Sequence, residues 1–284
     1  MFRWLAAAAA LVGLAVPAPA AAGKLNDFVP LVVHDSRERY PLTSVRAFAG
    51  RIPGVPPGPA RPVVYGRRTV RWLQYWMLFA ANSQDRGLLR TGRHEGDWEL
   101  VELRLRHGRP VRVVYSQHSG AESCSFRWAT RMAARPVGYV ARDSHALYFV
   151  PGVRDRTWPD PNDEADGRGL RVRPRLVRIT AASPPWMRYS GRWGASRAGW
   201  VPGEMSSPRG PAWQPQGRWS KPDAWAAGAR PCTRVDCDRR GECDGRETAM
   251  SAAVAALGLA WALLFAGRRM RRAADREAVV NGGH

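Results

Sequence analysis

Lysine is almost missing from this chain: of 44 basic residues only Lys24 and Lys221 are lysine, and the rest are arginine. The net charge is +20, but no stretch interleaves clustered arginines with stacking aromatics or carries a known recognition motif, so nucleic acid is excluded as the expected partner. A basic exterior of this kind favours contact with anionic lipid or polymer instead. Helical periodicity is scarce and no internal repeat is found. Cysteine is limited to four residues. They form no CxxC pair and have no histidine beside them, which sets aside a zinc site. There is no nucleophile elbow and no second set of metal donors. Adjacent Ser and His residues, Ser116 with His118 and Ser144 with His145, do not by themselves make a triad, so no catalytic residue is assigned.

Two apolar runs sit at the ends. In MFRWLAAAAALVGLAVPAPAAAG, Arg3 supplies a positive start, Leu5 to Val16 an apolar centre and Ala20 to Ala22 a small-residue cleavage site, the three parts of a secretory signal over residues 1–22. Near the other end, Ala249 to Gly267 is apolar on every face and, at about 1.5 Å per residue, spans roughly 28 Å. Arg268, Arg269, Arg271 and Arg272 follow it, as a stop-transfer cluster does on the cytoplasmic side. The expected layout is therefore a signal at 1–22, an exported domain at 23–222, a cysteine-containing linker at 223–247, a single transmembrane helix at 248–267 and a cytoplasmic tail at 268–284. Localisation follows as a single-pass cell-membrane protein with its N-terminal domain outside. In that compartment Cys124, Cys232, Cys237 and Cys243 suggest two disulfides, one of them tying Cys124 to the juxtamembrane segment.

Short alternating runs bounded by Gly, Pro, Asp and Asn dominate the exported part. VRWLQYWMLFAAN, WELVELRL, PVRVVYSQ, VGYVARD, HALYFV and RVRPRLVRI read as strands, and their spacing predicts an all-β, antiparallel β-sandwich with long loops. Trp72, Trp76 and Trp98 fall in strands and are expected in the core. Trp193, Trp200, Trp213, Trp219 and Trp225 fall in Gly- and Pro-rich loops, where they stack on sugar, sit in a membrane interface or pack over the end of the sandwich.

The stretch RHEGDWELVELRL carries the chemistry. Alternation along a strand puts Asp97, Glu99, Val101, Leu103 and Leu105 on one face and Trp98, Leu100, Glu102 and Arg104 on the other. Two carboxylates at i and i+2 on a half-buried face repel by on the order of 4 kcal/mol at about 4 Å and an effective dielectric of about 20. Protonation, an arginine such as Arg90 or Arg93, or a cation relieves that repulsion. His94 lies three residues before Asp97, Gly96 lets the backbone turn, and Asp85 comes from the preceding loop. Oxygen donors with one imidazole suit Mg²⁺, Ca²⁺ or Mn²⁺, and Zn²⁺ is compatible. The alternative is an arginine-neutralised pair with His94 on the surface. His118 and His145 end strand-like runs, where each either orients a ligand beside the motif or hydrogen-bonds a neighbouring loop.

HEGDWELVEL, YSQHSG, RDSHALYF and RYSGRWG occur in that order, between YWMLFAAN and GPAWQPQGRWSKP. The ordered set resembles the vacuolar protein sorting-associated protein 62 family and its bacterial relatives over roughly Tyr75 to Pro222. Asp143 stands where that pattern leads to an expected glycine. The arrangement of His94, Asp97, Trp98 and Glu99 is also similar to the heptad of necrosis-and-ethylene-inducing toxins, secreted β-sandwiches whose histidine and acids hold a divalent cation and help engage membrane glycolipid. The resemblance implies His94, Asp97 and Glu99 as ligands with Asp85 near a further acid; His118 and His145, from their strand-end positions at the same rim, and Trp98 of the motif are the candidates for the residues around them. Toxicity does not carry over, because Thr91, Gly92 and Arg93 replace the heptad's leading Gly-His pair. The expected function is a membrane-tethered recognition module for a surface glycan, anionic polymer or lipid head group. A metal-dependent hydrolase and a purely structural surface protein are the alternatives.

Overall fold

The structure, a computed structural model, describes residues 24–84, 92–156, 160–197, 204–232, 249–250 and 252–269. The expected signal segment, Asp85, Trp200, Cys237, Cys243 and the tail beyond residue 269 lie outside the described residues.

Among the described residues the chain forms fourteen strands. They are β1 (Leu31–His34), β2 (Val63–Arg68), β3 (Trp72–Asn82), β4 (His94–Arg106), β5 (Arg109–Gln117), β6 (Gly120–Ser125), β7 (Arg131–Met132) and β8 (Arg135–Val140). β9 (Leu147–Tyr148), β10 (Gly152–Arg154), β11 (Asp163–Ala165), β12 (Arg171–Val172), β13 (Arg175–Arg178) and β14 (Arg230–Pro231) follow, with the short helix α1 (Pro222–Ala227) before β14. A seven-stranded sheet has the order β13-β2-β3-β4-β5-β6-β14, and a second sheet runs β12-β1-β8-β7 with β9 on β8. β10 and β11 form a separate pair.

The architecture is mostly β, as expected, but the sheets are mixed rather than purely antiparallel. β2 to β6 form an antiparallel meander, whereas β13 joins β2, β14 joins β6 and β1 joins β8 in parallel. Parallel partners cannot be linked by a hairpin and must come from far along the chain. Each of these three pairs does so. RVRPRLVRI is two strands, not one: Pro174 ends β12, and the chain crosses there from one sheet to the other.

The alternation read along β4 sorts its side chains into two clusters. Val101, Leu103 and Leu105 join Tyr75, Met77 and Phe79 of β3, Tyr115 of β5, and Val32, Val140 and Val172 of the second sheet. Trp98 and Leu100 join Trp76 and Leu78 on the other face, under a cover of Val45, Phe48, Trp186, Trp193, Trp219 and Trp225. Both faces of β3 are thus buried, which is why WLQYWMLF shows no polar alternation. The loop tryptophans Trp193, Trp219 and Trp225 take the packing role, while Trp213 stays half exposed. Buried on that same face, Gln74 and Glu102 are register partners across β3 and β4, and Gln74 Nε2 donates to Glu102.

The segment around β14 is tied down. Cys124 and Cys232 form a disulfide across 108 residues, and the Cys232 amide donates to Ser123 O at 3.0 Å, continuing the β14–β6 pairing. Further on, the helix Ala252–Arg269 is long and apolar enough to cross a membrane by length and composition.

Candidate functional site

Asp97 and Glu99 reach a common cavity because β4 begins opposite the last turnless residues of β3, with Asn82 facing His94, Phe79 facing Asp97 and Met77 facing Glu99. Gly96 makes that entry feasible. Its φ is +60°, and a Cβ there would meet Trp193 O at 2.5 Å. Only glycine satisfies both constraints. The cavity, about 240 Å³, is lined by His94, Asp97 and Glu99 and also by Asn82, His118 and Arg218.

Each acid has its own partner. Asp97 Oδ2 accepts from His145 Nδ1 at 2.9 Å and from Asn82 Nδ2 at 3.4 Å. Burial works against the Asp97 carboxylate, but His145, His94 and His118 together outweigh it and keep this carboxyl below the ordinary range. Glu99 behaves in the opposite way: burial, and then the neighbouring Asp97 charge, push it up to about 8. Ser116 Oγ donates to Glu99 Oε2 and accepts from the Leu100 amide at 2.6 Å. Side by side, the two carboxyls are shifted in opposite directions, Asp97 down and Glu99 up.

His145 is the buried hinge of this arrangement. Its ring stacks on Phe79 with centroids 4.1 Å apart, and Nε2 stands 3.4 Å from Glu38 Oε1, an ion pair rather than an aligned hydrogen bond. Burial opposes the imidazolium, yet Asp97 and Glu38 on its two sides push it up to about 9. Glu38 falls to about 2 against its own burial cost, because His145 and the amides of Tyr40 and Asp143 stabilise the carboxylate. The residue expected to be glycine before this histidine, Asp143, has φ 64°. Aspartate is among the few side chains tolerated in that left-handed region, and here its carboxylate accepts from Ser83 at 2.6 Å and Arg39 at 3.0 Å.

His118 occupies the turn between β5 and β6 with φ 53°, and its Nε2 lies 2.7 Å from Asp163 Oδ2. Asp163 is buried and also accepts from Tyr148 Oη at 2.6 Å, Ser144 Oγ at 2.7 Å and Gln84 Nε2 at 3.0 Å. Burial disfavours both charges, but the pair holds Asp163 well below and His118 above its ordinary value.

The structure therefore brings His94, Asp97, Glu99 and His118 to one cavity and sets His145 directly behind Asp97. His94 Nδ1 is turned to Gly96 O at 2.9 Å. Among the described residues no group of three or more His, Cys, Asp and Glu side chains is gathered closely enough to hold a metal ion. Trp98 touches the cavity but is chiefly core, its ring 5.1 Å from Trp193 and 5.8 Å from Tyr65. Sequence reasoning missed Glu38 and Asp163, the carboxylates that anchor the two histidines. Neither sits in a recognisable motif, and each meets its histidine only through tertiary contact.

Comparison with known proteins follows the same region. Residues 81–157 match the family model of vacuolar protein sorting-associated protein 62, a span that contains the β4 motif and both histidines. No curated protein sequence matches the chain. Among solved structures, the chain is similar to necrosis and ethylene inducing protein 2 from the causal agent of cocoa's witches' broom disease, at 17% identity and a TM-score of 0.33. It is similar to a structure described as a toxin fold for microbial attack and plant defense at 15% identity and a TM-score of 0.33. A third, NLPPya in complex with mannosamine, shows 17% identity and a TM-score of 0.31. In all three the match covers 57% of this chain and 76% of the other. Over residues 81–157 the chain matches the vacuolar protein sorting-associated protein 62 family, the one its ordered motifs resemble.

Proposed function

We propose that this chain is an exported β-sandwich tethered to the cell membrane by its C-terminal helix, with the strands outside and the arginine-flanked tail inside. In this reading the cavity at the start of β4 binds a divalent cation and, with it, a hydroxyl- or phosphate-bearing ligand of the surface-glycan or lipid head-group class. The supporting observation is the pair Asp97 and Glu99: two buried carboxylates, two residues apart, opening on one cavity, with His145, Asn82 and Ser116 as their described hydrogen-bond partners. Buried like charges are costly unless protonated or neutralised. Asp97 and Glu99 are the residues that would hold the ion, His94 would join them by turning away from Gly96, and Asp85 is the further acid suggested by sequence. The oxygen-rich set suits Mg²⁺, Ca²⁺ or Mn²⁺, with Zn²⁺ compatible. When bound, the cation supplies the positive charge that lets Glu99 ionise.

The test is titration of the full chain, purified in neutral detergent and stripped with EDTA, with Mn²⁺, Ca²⁺ and Mg²⁺. The native chain is expected to bind, and Asp97→Asn and Glu99→Gln to lose binding. Equal uptake by all three proteins would remove the site.

A second reading, a cation-assisted hydrolase, draws on one observation: His118, oriented by the buried Asp163, lines the same cavity. It predicts turnover of a chromogenic phosphodiester that His118→Gln abolishes while cation uptake persists. No turnover by the native chain leaves binding alone.

A further inference from the structure

A second concave surface lies away from β4, where the edge strands of the two sheets meet. Pro174 carries the chain from β12 to β13, and its neighbours Arg173 and Arg175 are both exposed beside this crossing. Arg61 precedes β2, the parallel partner of β13, and Arg46 comes from the short helical turn Val45–Phe48. All four line one cleft of about 830 Å³, and no carboxylate lines it.

The cleft is built rather than incidental. Arg46 lies over Gly58, where φ is +128° and a Cβ would stand 2.7 Å from Nη1, so a side chain at that position would displace the guanidinium. The floor is formed by Val63, Tyr65 and Trp186, all buried. Arg46 and Arg175 come from separate segments, yet the charges of both act on the Tyr65 hydroxyl, which burial still pushes up to about 12.

Elsewhere on this protein exposed arginines meet acids: Arg37 pairs with Glu164, Arg39 with Asp143, Arg51 with Glu95 and Arg71 with Asp223. Among the described residues the four arginines of the cleft form no ion pair, and the hydrogen-bond partner of Arg173 is the Met132 sulfur at 3.0 Å. Like charges gathered in a concavity reinforce one another's field and attract counter-charge. Guanidinium groups match the paired oxygens of phosphate and carboxylate.

We propose that this arginine cleft is a separate binding site, independent of the β4 cavity, for an anionic polymer that presents repeated phosphate or carboxylate groups. A polymer strand can enter a concavity and engage arginines on both walls, which the flat face of a bilayer does less well.

The test uses the full chain in neutral detergent, with fluorescently labelled poly(glycerol phosphate), polygalacturonate and neutral dextran as probes. The native chain is expected to bind one or both polyanions but not dextran, and to bind less well as salt rises, because screening weakens exposed charges. The Arg46→Ala/Arg175→Ala double variant is expected to bind about tenfold more weakly or worse, the loss that follows from removing charge-assisted hydrogen bonds. Arg106→Ala/Arg109→Ala removes the same charge from an exposed hairpin end and is expected to leave affinity within about twofold. Arg61→Ala, at an exposed position, repeats the cleft test with the least risk to folding, and thermal unfolding confirms that each variant is folded. Equal losses in the two double variants would reduce the effect to net charge and overturn the proposal. So would failure to bind either polyanion. Binding to phosphatidylglycerol vesicles, lost on Arg46→Ala/Arg175→Ala while the polymers do not bind, would assign the cleft to the membrane instead.

Discussion

His145 Nδ1 lies 2.9 Å from Asp97 Oδ2, joining the RDSHA loop to the start of β4. On its other side the same ring faces Glu38, so one buried imidazolium holds two buried carboxylates from different parts of the chain. Removing one member of a buried ionic cluster leaves the others uncompensated, which costs about 3–5 kcal/mol. His145→Ala is expected to lose stability on that scale in urea unfolding. A loss under about 1 kcal/mol would mean that the cluster does not hold these elements together.

Glu102 yields a pH prediction outside the cavity. Burial pushes this carboxyl from 4.5 up to about 8 in the folded chain, against a hydrogen bond from Gln74 that favours ionisation. Between those two values the unfolded chain has released the proton and the folded chain has not, so stability falls as pH rises through the window. Glu102→Gln removes that slope. Relative to the native chain it is expected to gain stability between pH 5 and pH 8, by a few kcal/mol at most. Parallel pH profiles for the two proteins would contradict the assignment.

The parity of β4 from Trp98 to Leu105 was readable because successive side chains of a strand point to opposite faces, and Val101, Leu103 and Leu105 do join one cluster while Trp98 and Leu100 join the other. The same logic placed Asp97 and Glu99 together. What sequence could not show are the contacts that make the site work. Glu38 reaches His145 across 107 positions, and Asp163 reaches His118 across 45, through folding that no local pattern records. The parallel edges were hidden for the same reason, since a strand's sequence does not state its partner's direction. Asp143 is instructive in another way: the expected glycine marked a real backbone requirement, and aspartate meets it.

Gly96→Ala tests how tightly the motif is cradled. The added methyl would sit 2.5 Å from Trp193 O and 2.9 Å from Trp193 Cβ, on a backbone with φ +60°. Both penalties act at once, so a loss of about 2 kcal/mol or more is expected in thermal or urea unfolding. A neutral effect would show that β4 can enter the sheet by another path.

Cys232→Ser tests how firmly the disulfide holds β14 to β6. A bond spanning 108 residues restricts the unfolded chain strongly, and its loss is expected to cost about 2–5 kcal/mol. Hydrogen exchange of the Cys232 amide, now bonded to Ser123 O, is expected to accelerate far more than exchange at Val101 in the sheet centre. Unchanged protection at Cys232 would mean that α1 and β14 hold the end without the disulfide.

In the proposed function Asp97 and Glu99 share a divalent ion. Crystals of the full chain grown with Mn²⁺ and measured at its absorption edge test it most directly. An anomalous peak is expected in the cavity within about 2.0–2.3 Å of an oxygen from each carboxylate, with His94 turned away from Gly96 O. A cavity without such a peak, with Glu99 still bonded only to Ser116 while Mn²⁺ binds elsewhere or not at all, would contradict it.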